Sequence, residues 1–83
     1  MSASDQKEVI DREHLAAEWL VHEEISKFRE SRYWVGPIER HITSPQDYDR
    51  KRFAADLRPT FPHLHPDVIM SIIDWKIYQL HLR

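Results

Sequence analysis

Five prolines and a single glycine impose the strongest constraint on how this chain can fold. Gly36 is the only glycine, and no Asn-Gly, Asp-Gly or Gly-Gly pair is present to form a tight β-hairpin. Each proline disfavours a helix interior and biases the residue before it toward extended geometry. The prolines lie at positions 37, 45, 59, 62 and 66. They leave three stretches that are long enough for helices, so we predict an all-α fold.

The first stretch predicts one long helix over residues 5–32, since its interior contains neither proline nor glycine. Five apolar side chains recur there at about 100° per residue, the period of a helix with one buried stripe. They are Ile10, Ala17, Val21, Ile25 and Phe28. We expect this stripe to face the core.

Two further helices are predicted over residues 45–57 and 66–82. Ser44 followed by Pro45 is typical of an N-cap and first helical position, and Pro66 opens the last helix in the same way. The last helix is apolar on nearly every side, which indicates burial on most sides. Residues 38–42 are too few to decide between a short helical turn and an extended piece.

The chain has 83 residues, so we treat residues 1–83 as a single helical domain with one small core. Folding at this size hides only about 60% of the surface of the unfolded chain, and a partner is one way to hide more. The start of the chain lacks a leader pattern, and no apolar run approaches the roughly 18 residues of a membrane span. We therefore expect a cytoplasmic protein that does not cross a membrane.

Several large apolar and aromatic side chains exceed what one small core can cover. Leu15 and Trp19 project from the polar side of the first helix, which is unusual for an isolated surface helix. Trp and Tyr are frequent anchors of protein interfaces. We predict a protein-binding surface made by Leu15, Trp19, Tyr33, Trp34, Trp75 and Tyr78. The function expected is that of an adaptor, accessory subunit or inhibitor, with a homodimer as the nearest form of association.

A nucleic-acid-associated regulator is the alternative function. Its phosphate contacts would come from Arg50, Lys51, Arg52 and Arg58. The chain as a whole carries a net charge of −2, and aspartates at positions 47, 49 and 56 dilute the basic cluster. We expect weak binding of nucleic acid at most, lost at physiological salt.

Catalytic and metal chemistry find little support in the sequence. The absence of cysteine excludes thiol nucleophiles and zinc sites that contain cysteine. Two histidine groups have metal-like spacing: His63, His65 and Asp67 in the proline-rich connector, and His14, Glu18 and His22 on the first helix. The first group supplies three ligands where a closed zinc site needs four. The second could bridge a metal across a bundle or a dimer, but we interpret it as a polar helix border with an i,i+4 pair of Glu and His. We predict a non-enzymatic protein without metal or cofactor.

Overall fold

The structure, a computed structural model, describes residues 3–36 and 45–82. Within these ranges the chain forms α1 (Ala3–Ile25), α2 (Arg50–Leu57) and α3 (Pro66–Ile77). Short 3-10 helices span Phe28–Glu30 and Pro45–Asp47, and a π-helical turn spans Tyr78–Leu82. The described residues contain no strand, and the three helices pack against one another, which confirms the all-α bundle. The predicted turn at 38–42 lies outside the described residues.

Helix α1 ends earlier than the sequence predicts, at Ile25 instead of residue 32. The Ser26 hydroxyl donates a hydrogen bond of 2.8 Å to the carbonyl of Glu23, and Phe28 adopts a positive φ of 56°. This left-handed conformation is typical of the residue that ends a helix, although it is costly for a bulky side chain. Phe28 is therefore 46% exposed, outside the core stripe predicted for it.

Helix α2 begins at Arg50, five residues after the predicted start. Asp49 is its N-cap, and one Asp49 carboxylate oxygen accepts the backbone N–H of Arg52 at 3.2 Å. The proline signal at Pro45 opens only the short 3-10 helix. Ser44, the predicted cap, lies outside the described residues. The predicted second helix is thus divided into two segments.

Helix α3 is the central element, because both α1 and α2 pack against it. It begins at Pro66 as predicted, and the His65 ring nitrogen Nδ1 accepts the backbone N–H of Asp67 at 3.1 Å. The core holds mainly aliphatic side chains from the three helices together with four aromatic rings. Its members are Ala17, Val21, Ile25, Tyr33, Tyr48, Phe53, Ala54, Leu57, Phe61, Leu64, Ile69, Ile72, Ile73 and Ile77.

Helices α1 and α3 run in the same direction. Glu13 of α1 accepts the backbone N–H of His63 at 3.1 Å, just ahead of the start of α3. Near the other end of α3, Lys76 lies close to His22 of α1, because both side chains line one hollow at the surface. Ile10 lies on α1 before the part of that helix that packs on α3. It is 41% exposed, so it does not belong to the buried stripe predicted for α1.

Candidate functional site

A surface of large apolar side chains lies where α1 and α3 meet. Leu15 is 62% exposed and Trp19 is 71% exposed on α1, while Trp75 is 52% and Tyr78 is 49% exposed on the α3 side. We call these four residues the aromatic seam. Their exposure agrees with the sequence expectation that they exceed what the core can cover.

Two hollows connect the α1 and α3 sides of the aromatic seam. The first, of about 260 Å³, is lined by Leu15, Glu18, Trp19, His22 and Lys76. The second, of about 310 Å³, is lined by His14, Glu18, Asp67, Val68, Ser71, Ile72 and Trp75. Glu18 lines both hollows, so they are neighbours in the depression between the helices. Such a depression with apolar walls can receive a side chain or a helix of another protein.

The aromatic side chains of the seam leave their polar atoms unpaired within the described part of the chain. Trp75 and Tyr78 stack on each other with ring centroids 5.8 Å apart and an interplanar angle of 19°. Among the described residues, the indole N–H groups of Trp19 and Trp75 and the hydroxyl of Tyr78 have no hydrogen-bond partner. A seam of this kind offers both apolar area and unused donors to a partner.

Charged side chains line the two hollows beside the aromatic seam. Near the start of α3, Glu18 lies 3.7 Å from His14, and Asp67 lies 3.6 Å from His65. Near the end of α3, Lys76 forms no ion pair with any described residue. Glu18 also lines the hollow that contains Lys76, so acidic side chains are not confined to one end of the contact between α1 and α3.

Sequence analysis missed Glu18, His22 and Lys76 as members of this surface. The first two could have been found, because Glu18 is three residues after Leu15 and His22 is three residues after Trp19 on one helix face. Lys76 could not, since its place beside Trp19 depends on how α1 and α3 pack.

Of the residues predicted for the binding surface, Tyr33 is buried in the core and Trp34 is half-buried against it. Tyr33 is 7% exposed, and its ring stacks on Phe53 at 4.3 Å with an interplanar angle of 8°. Burial raises the pKa of the Tyr33 phenol, with a further contribution from Asp56, which accepts its hydroxyl at 2.7 Å. These long-range partners remove Tyr33 from the surface, and the sequence alone gave no sign of them.

Trp34 is half-buried and meets Tyr48 edge to face, with ring centroids 5.1 Å apart. Its indole N–H donates to the carbonyl of Gly36 at 2.9 Å, and the Tyr48 hydroxyl donates to the carbonyl of Ile25 at 3.2 Å. We call Tyr33, Trp34, Tyr48 and Phe53 the aromatic corner.

A polar hollow of about 380 Å³ borders the aromatic corner and contains Glu24, Arg32, Tyr33 and Asp56. Glu24 is 5% exposed, and burial alone would raise its pKa. Its carboxylate accepts hydrogen bonds from the Ser31 hydroxyl at 2.6 Å and the Arg32 N–H at 2.9 Å, and Lys27 lies at 3.4 Å. These interactions outweigh burial and lower the pKa of Glu24. Because the carboxylate is fully partnered, this group stabilises the fold.

The basic residues of the alternative function are partly engaged within the chain. Arg50 forms an ion pair of 2.8 Å with Asp74 of α3. Arg52 lies 4.9 Å above the Tyr33 ring and donates to the carbonyl of Arg32. Lys51 and Arg58 are exposed and form no ion pair with a described residue. Arg50 and Arg52 thus point to different neighbours, and two of the four cations are already occupied.

The histidine groups with metal-like spacing are arranged for other contacts. The His63 ring pairs with the Glu13 carboxylate, and His65 caps α3. Within residues 3–36 and 45–82, no three His, Asp or Glu side chains come together in a way that could hold a metal ion. Likewise, none of the helices in the described part of the chain is both long and apolar enough to cross a membrane.

Comparison with protein-family models, with curated protein sequences and with solved structures finds no match to this chain.

Proposed function

We propose that this chain is a small non-enzymatic protein-binding module, and that the aromatic seam is its binding surface. The observation that carries the proposal is the exposure of Trp19 beside Leu15 on a helix whose opposite face is fully buried. Ala17, Val21 and Ile25 have no exposed surface, so α1 already satisfies the core without these two residues. An adaptor, an accessory subunit and an inhibitor all use a surface of this kind.

The size of the aromatic seam supports a protein partner. A large aromatic side chain has roughly 200 Å² of surface. At the observed exposures, three such rings and Leu15 together present roughly 450 Å². A typical interface covers about 800 Å² on each partner, of which about 55–65% is apolar. The seam therefore supplies most of the apolar area that one side of such an interface requires.

Nucleic-acid binding has weaker support, because Arg50 and Arg52 contact groups within the chain. We expect weak association with mixed-sequence DNA or RNA that disappears at physiological salt. A tight complex that is abolished by Arg50→Ala and Arg52→Ala would favour the alternative function. The absence of enzymatic activity, of a cofactor and of a metal, and the cytoplasmic location, stay predictions.

The test of the proposed function is site-specific photo-crosslinking. A photoreactive phenylalanine analogue replaces Glu23, which is exposed and lies one helical turn beyond Trp19. The matched control carries the same analogue at Val35, which is 61% exposed but outside the seam. We expect a discrete protein adduct from position 23 only, which is lost in the Trp75→Ala background.

The adduct is then identified by mass spectrometry, and the purified partner is titrated against the wild-type and Trp19→Ala chains. Binding that Trp19→Ala weakens about tenfold or more supports the proposal. Equal adducts at both positions, or none at either, would contradict it.

A further inference from the structure

We infer that the partner of the aromatic seam is a basic amphipathic helix, in which lysine or arginine stands beside the apolar stripe. This inference rests on the proposed function and names the chemistry of the partner at the same surface. The second hollow, of about 310 Å³, carries it. That hollow combines apolar walls with two carboxylates that no lysine or arginine of the described chain neutralises.

The apolar side chains of the second hollow all come from α3. They are Val68, Ile72 and Trp75, which follow one face of the helix at spacings of four and three residues. Ile72 is buried and Val68 is half-buried, whereas Trp75 is 52% exposed beside them. An apolar side chain of a partner that enters this hollow is covered on more than one side, as an anchor of a protein interface requires.

Two carboxylates border the same apolar side chains. Glu18 belongs to α1, and Asp67 lies in the first turn of α3. Among the described residues, Glu18 is paired only with the ring of His14, and Asp67 only with the ring of His65. No lysine or arginine in the described part of the chain lines this hollow. Its charge therefore attracts a cation of the partner and repels a carboxylate.

The first hollow, of about 260 Å³, does not select a partner by charge. Lys76 and Glu18 both line it, so its charges are mixed, and its large apolar side chains are those of Leu15 and Trp19. We therefore place the cation of the partner at the second hollow. Further apolar side chains of the partner contact Leu15 and Trp19.

The length of the two hollows matches a helix. The second hollow follows α3 from Asp67 to Trp75, which is about 12 Å. Together the hollows follow α1 from His14 to His22, also about 12 Å. This distance corresponds to about two turns of a partner helix. An amphipathic helix can place its apolar stripe in the depression, while a lysine or arginine beside that stripe extends its long side chain to the carboxylates.

The experiment measures how two designed, fluorescently labelled peptides bind the full chain, with fluorescence anisotropy as the readout. Both peptides are roughly 18 residues long, or about five helical turns, and share one leucine stripe. One carries lysine beside the stripe and the other carries glutamate. We expect the lysine peptide to bind at least about tenfold more tightly than the glutamate peptide. Its affinity should fall as the salt concentration rises.

Substitutions in the second hollow test where the lysine peptide binds. Glu18→Gln and Asp67→Asn each remove one negative charge, and we expect each to raise the dissociation constant at least about threefold. The double variant should raise it at least about tenfold, and Trp75→Ala should do the same by removing an apolar wall.

The matched control is Glu30→Gln, which removes the same charge at an exposed position outside both hollows. We expect it to leave the dissociation constant within about twofold of the wild-type value. Circular dichroism verifies that every variant keeps its helix content. If Asp67→Asn weakens the start of α3, Glu18→Gln still tests the charge of the hollow, because it lies on α1.

The outcomes separate this inference from the proposed function. Equal affinity for the two peptides, or a lysine peptide whose binding the hollow variants leave unchanged, overturns the inference. A dimer of the chain itself that Trp19→Ala weakens, measured by analytical ultracentrifugation, also overturns it. A position-23 adduct whose crosslinked segment is not basic overturns the inference and leaves the proposed function standing. Failure of both peptides to bind, together with no position-23 adduct, overturns both.

Discussion

The aromatic corner and the aromatic seam use the same kinds of side chain in opposite ways. In the corner, Tyr33 and Trp34 stack against other rings, and their polar atoms reach Asp56 and the carbonyl of Gly36. In the seam, Trp19 stands 71% exposed, and its indole N–H has no partner among the described residues. The rings and polar atoms of the corner have partners within the chain. The seam leaves apolar area and hydrogen-bond donors without a partner among the described residues.

The difference shows how local sequence context misleads about aromatic residues. Tyr33 and Trp34 follow the end of α1, and an isolated antiparallel bridge between Trp34 and Tyr48 brings distant partners to them. Trp19 lies in the middle of a regular helix and is 71% exposed. An aromatic residue near a chain reversal is readily covered by the returning chain, whereas one in the middle of a helix needs a separate element to cover it.

Phe53→Ala should lower the stability of the protein most, because it removes the ring at the centre of the corner. Phe53 is 1% exposed and stacks on Tyr33, so truncation leaves a cavity in the core. We expect the free energy of unfolding to fall by about 3–5 kcal/mol, most of the stability of a small domain. Urea denaturation followed by circular dichroism measures it. A loss below about 1 kcal/mol would mean that the corner is not part of the core.

A smaller but clear loss is expected from Gly36→Ala. A methyl group at this position would lie 2.7 Å from the Cβ of Asp47, which is 2% exposed and held in place by its surroundings. The Asp47 carbonyl also accepts the N–H groups of Val35 and Gly36 at 2.7 and 3.1 Å. We expect a loss of about 1–3 kcal/mol in urea denaturation. Val35→Ala, one residue earlier and exposed, is the control and should change stability by less than about 0.5 kcal/mol.

Glu24→Gln tests the hydrogen bonds that hold the chain entering the corner. The Ser31 hydroxyl and the Arg32 N–H both donate to the same Glu24 oxygen, which an amide can replace. The amide lacks the charge that strengthens these bonds, and it places a donor NH₂ group beside Lys27, so we expect a loss of about 1–3 kcal/mol at neutral pH. The folded-state pKa of Glu24 is lowered, so its contribution is present above the ordinary glutamate pKa of about 4.3. That contribution is lost as the pH falls through the lowered value. Denaturation curves at decreasing pH should therefore show the wild-type and Glu24→Gln chains converging, and a constant gap would refute this account.

The smallest effect on stability is expected from Trp19→Ala, which tests whether the seam contributes to the core. Since Trp19 has no stacking or hydrogen-bond partner in the described chain, we expect a change within about 0.5 kcal/mol. Thermal unfolding at several protein concentrations measures this change. A loss near that of Phe53→Ala would show that Trp19 belongs to the core and would remove the basis of the proposed function.

Most of the fold could be predicted from the sequence, because proline positions and helical periodicity are local signals. Pro66 marks the start of α3, and the stripe of Ala17, Val21 and Ile25 marks the buried face of α1. The early end of α1 was not accessible, since Phe28 has no general preference for a positive φ. The start of α2 was misplaced because Pro45 opens only a short 3-10 helix, whereas Asp49 caps the helix itself.

The candidate site could be predicted from the sequence only in part. Leu15 and Trp19 stand out on a helical wheel, and their exposure follows from the same periodicity that buries the opposite face. The separation of Tyr33 and Trp34 from Trp75 and Tyr78 depends on contacts between residues more than ten positions apart. Such pairings leave no pattern in a single sequence.

The central position of α3 also has a kinetic consequence. Both α1 and α2 find their main helical partner in α3, which follows them in the chain. Until α3 is synthesised and docked, the apolar faces of the two earlier helices have no main helical partner, and an isolated helix as short as α2 is unstable in water. Folding should therefore be all-or-none, with its rate set by the closure of the long loop that joins α3 to α1. A nascent chain that stalls before Pro66 would expose the faces of α1 and α2 that pack on α3, and we expect it to be prone to aggregation and proteolysis.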